Sequence, residues 1–279
     1  MTKSSTKQPG SAPVPGATPE KSAAPLQSYR DKRDPRTSNE PFGPERIPSA
    51  SSVTGAAGSG PGTWHGDFVV HLHAATRRHY DLRLQVAGRL LSFAVPRGPT
   101  LNPNDKHLAV QTEDHPIEYL DFEDVIPEGN YGAGSMIVWD IGRVTYLDYS
   151  AEDGLDKGKL DFVLFGRKLQ GRFALVETGK RQKPPPKQRQ WLLLKKTDAH
   201  ASTTANLVED QPHSVLSSLT VEQLAQRDAV ARALIEKARD LGAKPGRVEA
   251  DKIEPMLCSD EGASLKQRGY LYELKLDGV

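Results

Sequence analysis

The stretch RHYDLRLQV, residues 78–86, carries three side chains able to do chemistry together. Along a β-strand successive side chains point to opposite faces. Tyr80, Leu82 and Leu84 then share one face, and His79, Asp81 and Arg83 share the other. Just upstream, His71 and His73 share a face of DFVVHLH. Two imidazoles and a carboxylate can ligate one divalent cation. Arg83, next in line, has the fork to hold a phosphate or carboxylate beside such a cation. HLAVQTEDHP repeats the pattern: His107, Ala109, Gln111, Glu113 and His115 fall on one face if the strand is regular, and Pro116 ends the ladder. A shared groove is the expected meeting place. Period-two polar residues also describe the solvent-facing side of a half-buried sheet. That plainer reading suits H-x-D taken alone, whereas His73, His79, Asp81, Arg83 and His115 together favour a metal site. His65 and His71 read as surface histidines, and His200 and His213 as tail residues.

The elements that must position these groups are short. From Asp67 to about Lys196 the segments DFVVHLH, RHYDLRLQV, RLLSFAV, HLAVQTED, SMIVWD, RVTYLD, KLDFVLFG, GRFALVE and QWLLLKK are strand-sized, with turn residues between many of them. No long helical pattern interrupts them, which predicts an all-β fold, a small closed or nearly closed barrel. Residues 1–26 are Ser, Thr, Pro, Ala, Gly and Lys and read as a disordered tail. Residues 27–200 form the predicted barrel unit, with a flexible loop at 49–62. GKRQKPPPKQRQ, residues 179–190, reads as a solvated basic hairpin loop, with a phosphate-backbone contact as the functional alternative. Residues 201–250 read as a linker holding one helix at about 220–241, with Thr220 and Gln223 as a capping box and a partial apolar stripe from Val221 to Leu241. The 37 Lys and Arg against 36 Asp and Glu exclude a uniformly basic nucleic-acid coat, though not a local basic groove. The lone Cys258 excludes an internal disulfide and a multi-cysteine zinc site. No apolar run approaches the ~18 residues of a membrane span, and the N-terminus lacks an apolar signal core. A cytoplasmic protein with no membrane association is expected.

Three stretches, HLHAATRRHYDLRL, LLSFAVPRGPTLNPNDKHLAVQTEDHPIEYLDFE and IPEGNYGAGSMIVWD, closely resemble the 3′-phosphoesterase domain of bacterial DNA ligase D. The resemblance spans about Tyr29 to Lys196 and implies a small β-barrel. It implies removal of a 3′-terminal ribonucleoside from a primer strand, then hydrolysis of the remaining 3′-phosphate to a 3′-hydroxyl, in bacterial end joining. It implies a divalent metal, manganese foremost, held by His73, His79 and Asp81. Arg83 and His115 become the phosphate contacts and Tyr119 a site tyrosine. In the upstream RDPRTSNE, Arg33, Asp34 and Glu40 complete the pocket. Arg97 stands where the family usually has lysine, and His107 where it usually has arginine. Both are expected to bind phosphate, with the monoesterase step weakened at His107. Expected partners are DNA or DNA/RNA primer–template 3′ ends, Ku, and ligase and polymerase modules, in a nucleoid-associated cytoplasmic setting.

Residues 251–279, with IEPMLC and the closing YLYELKLDGV, resemble the start of an ATP-dependent DNA ligase domain, with Lys275 as its adenylated lysine. The rest of that domain does not follow, so neither ATP use nor nick sealing is expected of this chain. Two other functions share the motifs. One is a ligase fragment or scaffold whose barrel only binds DNA ends. The other is a non-haem iron oxygenase, for which H-x-D plus a distant histidine is a facial triad.

Overall fold

The computed structural model describes residues 26–43, 64–147, 150–178, 187–244 and 246. Its strands are β1 Trp64–Ala74, β2 Arg78–Val86, β3 Arg89–Val95, β4 His107–Gln111, β5 Asp124–Ile126, β6 Gly134–Tyr146, β7 Lys159–Gly166, β8 Gln170–Glu177 and β9 Gln190–Lys195. They pair antiparallel in the order β1-β2-β3-β4-β9-β8-β7-β6, and β6 returns to β1, which closes an eight-stranded barrel. β5 pairs with the first residues of β6. Closure leaves no long sheet edge unpaired, and the all-β barrel agrees with the sequence pattern.

Alternation along the strands sends one row of side chains inward. Phe68, Leu72, Leu82, Trp139, Phe162 and Trp191, from five different strands, belong to one buried cluster that fills the barrel. Ala87 and Gly88 both have positive φ, the two-residue turn that matches the twist of the β2–β3 hairpin. The expected strands SMIVWD and RVTYLD are one continuous strand, β6. Gly142 is not a turn there; a Cβ on it would collide with the Phe165 carbonyl, so glycine lets β7 come close. β6 is accommodated by a bulge: Val70 pairs with Asp140 and His71 with Val138, so Trp139 is the extra residue. Between β6 and β7 lies an unexpected helix, α2 Ala151–Lys157, after the single turn α1 Gln27–Arg30. The Ser150 side chain accepts from the Asp153 N–H, and Gly158 ends the helix in the left-handed region.

The linker expected from residue 201 is corrected over its first part. Residues beyond α3 Leu207–Asp210 are tied to the barrel. Trp139 Nε1 donates to the Gln211 carbonyl at 2.7 Å, and Lys168 Nζ donates to the carbonyls of Gln211 and His213. Ser214 Oγ donates to Glu123 at 2.5 Å. The expected single helix is two, α4 Val221–Ala225 and α5 Arg227–Asp240. The capping box on α4 is present, and Val221 and Leu224 are buried against the barrel core. The chain divides into compact units at Val230 and Ala231. In the described part of the second, Leu234, Ile235 and Leu241 are exposed. No helix among the described residues is long and apolar enough to cross a membrane. The tail through residue 25, the 49–62 loop, most of the basic 179–190 loop, and the 251–279 segment with Lys275 lie outside the described residues.

Lys195 is fully buried on β9, and its ammonium sits 2.6 Å from Asp198. Burial opposes the Asp198 charge, but the Lys195 hydrogen bond and the N–H groups of Arg172 and His200 push its pKa down to about 2. Asp198→Ala leaves the buried ammonium with only the Arg172 and Lys196 carbonyls and no counter-charge, and is expected to cost about 3 kcal/mol, the low end for a broken buried pair because those carbonyls remain and the carboxylate is 24% exposed. A folded pKa below the ordinary 3.8 means this stability is complete above about pH 4 and is lost as pH falls through about 2. Thermal melts at pH 7 and pH 3 check both points: the gap between wild type and variant should narrow in acid.

Candidate functional site

Strand register assembles the chemistry. β1 and β2 pair so that His73 lies opposite His79 and His71 opposite Asp81, while β3 sets Ser92 opposite Arg83. Directly opposed residues on one face have Cβ atoms only ~4.5–5.5 Å apart. A one-residue slip would turn the whole set inward. With the correct register, His73, His79 and Asp81 offer ligand atoms that all lie within 4.8 Å of one another. His73 Nδ1 is 3.7 Å from Asp81 Oδ2, and His79 Nε2 is 3.4 Å from Asp81 Oδ1. The other nitrogen of each ring is held by a backbone carbonyl: His73 Nε2 by Gly132 at 2.9 Å, His79 Nδ1 by Arg77 at 2.8 Å. A carbonyl can only accept, so each ring keeps its N–H there and turns a lone pair toward Asp81. Metal-bound histidines are oriented in this way, and the three residues fit a divalent cation.

This polar face is not solvated. Asp81 is 5% exposed and Arg83 2%. It lies on the outside of the barrel wall, beneath the arm of residues 26–43 and the 3₁₀ turn Ile117–Tyr119, where Tyr29, Tyr119, Phe122, Ile126 and Met136 make a second apolar cluster. Burial forces every charge to find a partner. Arg83 donates to Asp81 at 3.1 Å, to Ser92 Oγ at 3.0 Å and, through Nε, to His71 Nδ1 at 3.3 Å. Arg33 donates to Glu40 at 2.7 Å and Glu113 at 3.1 Å, with its guanidinium 3.8 Å from the Tyr29 ring centre. Tyr119 and Ser38 also donate to Glu40, so its carboxylate is fully engaged in holding the arm down. His115 Nδ1 lies 2.9 Å from the Glu113 carbonyl and 3.1 Å from Ser92 Oγ, and its Nε2 is 3.5 Å from Arg33 Nη2.

Protonation follows from these contacts. Burial works against the Asp81 charge, but the Arg83 guanidinium beside it holds its carboxyl well below the usual carboxylate range. Burial, with Arg83 and Arg33 beside it, pushes His115 well below the usual imidazole value; burial and Arg83 do the same to His71. Both rings are therefore neutral near pH 7. His71 Nε2 closes no hydrogen bond, although the Phe122 backbone acts on the ring. Tyr119 is raised by burial and stays a phenol.

His73, His79, Asp81, Arg83, His115 and Tyr119, with Arg33 and Glu40 from the arm, border one cavity of about 260 Å³. A cation-competent triad beside a buried guanidinium suits a phosphoryl group, and comparison with known proteins points the same way. Residues 71–177 match the DNA ligase D 3′-phosphoesterase domain. The chain is also 43% identical, over 260 residues and 91% of its length, to the multifunctional non-homologous end joining protein LigD of Pseudomonas aeruginosa. It is 40% identical over 158 residues to the protein of the same description from Mycolicibacterium smegmatis, and 42% identical over 153 residues to the multifunctional non-homologous end joining DNA repair protein LigD of Mycobacterium tuberculosis; each alignment covers 55% of the chain. These alignments cover 28%, 19% and 18% of the respective relatives, so the chain spans under a third of their length.

The phosphoesterase-domain match takes in the three ligand residues, Arg83, His115 and Tyr119, while the arm over them lies upstream of it. Three residues expected in the pocket are elsewhere. Asp34 turns its carboxylate to the backbone and guanidinium of Arg36 on the exposed side of the arm. β4 ends at Gln111, which breaks the alternation that was to join His107 to His115. His107 therefore follows Ala109 in the inward row, with Nδ1 2.6 Å from the Gly98 carbonyl. His107 and Arg97 border a separate cavity of about 430 Å³ with Asn102, Asp105 and Glu209. Conversely, His71, read as a surface residue, is fully buried against Arg83; Glu113, placed on the His115 face but given no role, pairs with Arg33 and Lys32; and Ser92, Tyr29 and Lys32 join the cluster unforeseen. For His71 and Glu113 the signal was present: each sits two residues from an assigned histidine.

Proposed function

We propose that this barrel is a metal-dependent 3′-end-healing phosphoesterase of bacterial non-homologous end joining. It removes a 3′-terminal ribonucleoside from a DNA or DNA/RNA primer–template end and then the 3′-phosphate, leaving a 3′-hydroxyl. The observation that supports this most is the meeting of the His73, His79 and Asp81 donor set with buried Arg83 and His115 at one cavity. Manganese is the expected metal. Held by those three residues, a divalent cation supplies Lewis acidity to a phosphoryl oxygen and acidifies a water.

The protein's own groups do the rest. Phosphoryl transfer rests on positioning and charge. Arg83, pinned by Asp81, Ser92 and His71, presents its guanidinium in a fixed orientation to the phosphate. Lys32, Arg33 and Arg83 balance Glu40, Asp81 and Glu113. A divalent cation and a phosphate dianion then add equal and opposite charge. His115 is neutral in the free protein and keeps Nε2 as an acceptor toward Arg33. Burial and the two guanidiniums hold its pKa down; a phosphate beside it offsets the guanidiniums and so favours a proton on the ring, which the ring then donates to the oxyanion or leaving group. Arg33, Glu40 and Tyr119 tie the arm to the 3₁₀ turn above Arg83 and His115. The same groups argue against an oxygenase, which needs an apolar cosubstrate pocket, and against a barrel that merely binds ends.

Ku and ligase or polymerase modules are proposed partners, in the cytoplasm at the nucleoid. A 5′-labelled primer–template ending in a 3′-ribonucleotide or a 3′-phosphate, incubated with the protein and manganese, tests the proposal. The expected product ends in a 3′-hydroxyl and, from the first substrate, is one nucleoside shorter. Unaltered primers under all metal conditions would reject it.

A further inference from the structure

We infer that Tyr131 forms a nucleobase subsite at the mouth of the catalytic cavity, stacking on the base of the 3′-terminal nucleoside. This rests on the phosphoesterase reading above. The cavity, at about 260 Å³, falls below the ~300–1,000 Å³ of pockets that enclose a drug-sized ligand. It can take a phosphate and adjoining sugar, and the base must stay at the rim. Tyr131 stands at that rim: it borders the cavity yet is 49% exposed, a large aromatic surface left open in a region where Tyr29 and Tyr119 are fully buried.

Its position is built, not incidental. Tyr131 precedes Gly132, whose carbonyl holds the His73 ring, so the aromatic ring is one residue from the cation site. The Pro127–Ala133 turn that carries it has Gly129 and Gly132 at positive φ and is tied to the arm by Asn130, which exchanges two hydrogen bonds with Thr37. Lys32 Nζ lies 4.9 Å and the Arg33 guanidinium 5.2 Å over the ring, so two cations already rest on it, and a nucleotide stacked on its exposed surface would have them close to its phosphate. A penultimate base keeps its neighbours in the primer–template duplex. A terminal base drawn toward the cavity loses its stack, and an open tyrosine face replaces it without reading sequence.

The test compares a primer–template ending in a normal 3′-ribonucleotide with one ending in an abasic ribose, using the full chain and manganese. Aromatic stacking is worth roughly 5- to 150-fold per base. The wild type is expected to prefer the intact end within that range, and the preference to fall to near one in Tyr131→Ala and to persist in Tyr131→Phe. A second arm, with the metal chelated, follows the fluorescence of 2-aminopurine at the 3′ terminus; the wild type should quench it and Tyr131→Ala should not. An intact-to-abasic ratio unchanged in Tyr131→Ala, or quenching that is absent from the wild type or retained in Tyr131→Ala, overturns the subsite. Quenching through Tyr131 without turnover of either end would instead reject the phosphoesterase reading and leave the subsite standing.

Discussion

Asp81→Ala is expected to lose both the ribonucleoside-removal and the phosphate-removal steps. The loss should exceed the ~10²–10³-fold of a single charge-stabilising donor. One substitution removes a cation ligand and also the carboxylate that anchors Arg83 at 3.1 Å. Because Asp81 is buried, the alanine variant also leaves a guanidinium short of a partner. Asp81→Asn is the companion: its carbonyl oxygen still accepts from Arg83, but a neutral amide is a poor ligand. Initial rates on the two primer ends across a manganese series, with melting curves for both variants, separate a lost site from a lost fold. Turnover near that of the wild type in a folded Asp81→Asn protein would refute the assignment.

His115→Ala is the second large effect, expected at ~10²–10⁴-fold in kcat/KM, the scale of one positioned acid or oxyanion donor. The ring is 3% exposed, its Nδ1 is fixed by Glu113 and Ser92, and its Nε2 is left for the cavity side. Cation binding should survive, because His115 lies outside the ligand triad. That combination, metal retained and chemistry lost, distinguishes His115 from Asp81. A drop below about tenfold would leave the ring a packing partner of Tyr29 and Tyr119 only.

The contrast between these two residues also shows how far the sequence could be read. His79, Asp81 and Arg83 were legible because strand alternation alone puts them on one face, and the hairpin register then brings His73 to them. Alternation is silent on what covers a face. A solvated side and a side buried beneath a distant segment have the same period, so alternation does not reveal that Tyr119, itself packed on Tyr29 of the arm, covers Arg83 and His71. His107 failed for a related reason: the reading assumed one regular strand from 107 to 115, and β4 stops at Gln111. The family resemblance named Arg33, Asp34 and Glu40 together; Arg33 and Glu40 reach the cavity and Asp34 does not, because the arm turns at Asp34 and points its carboxylate at Arg36. For the fold, nine strand-sized segments and nine strands agree in number by compensation. Gly142 was taken as a break and is not one, while β5 is only three residues long and carries no pattern. Helix α2 was missed, although Ser150 and Gly158 stand at its ends as cap residues.

The most direct measurement is Mn²⁺ titration by calorimetry, with electron paramagnetic resonance of bound ion, on the wild type and on His73→Ala, His79→Ala and Asp81→Ala. One ion per chain in the wild type, with affinity lost in all three variants, is the predicted result. Equal binding by the wild type and the variants, or no binding by the wild type, would contradict the convergence of these three side chains on one cation.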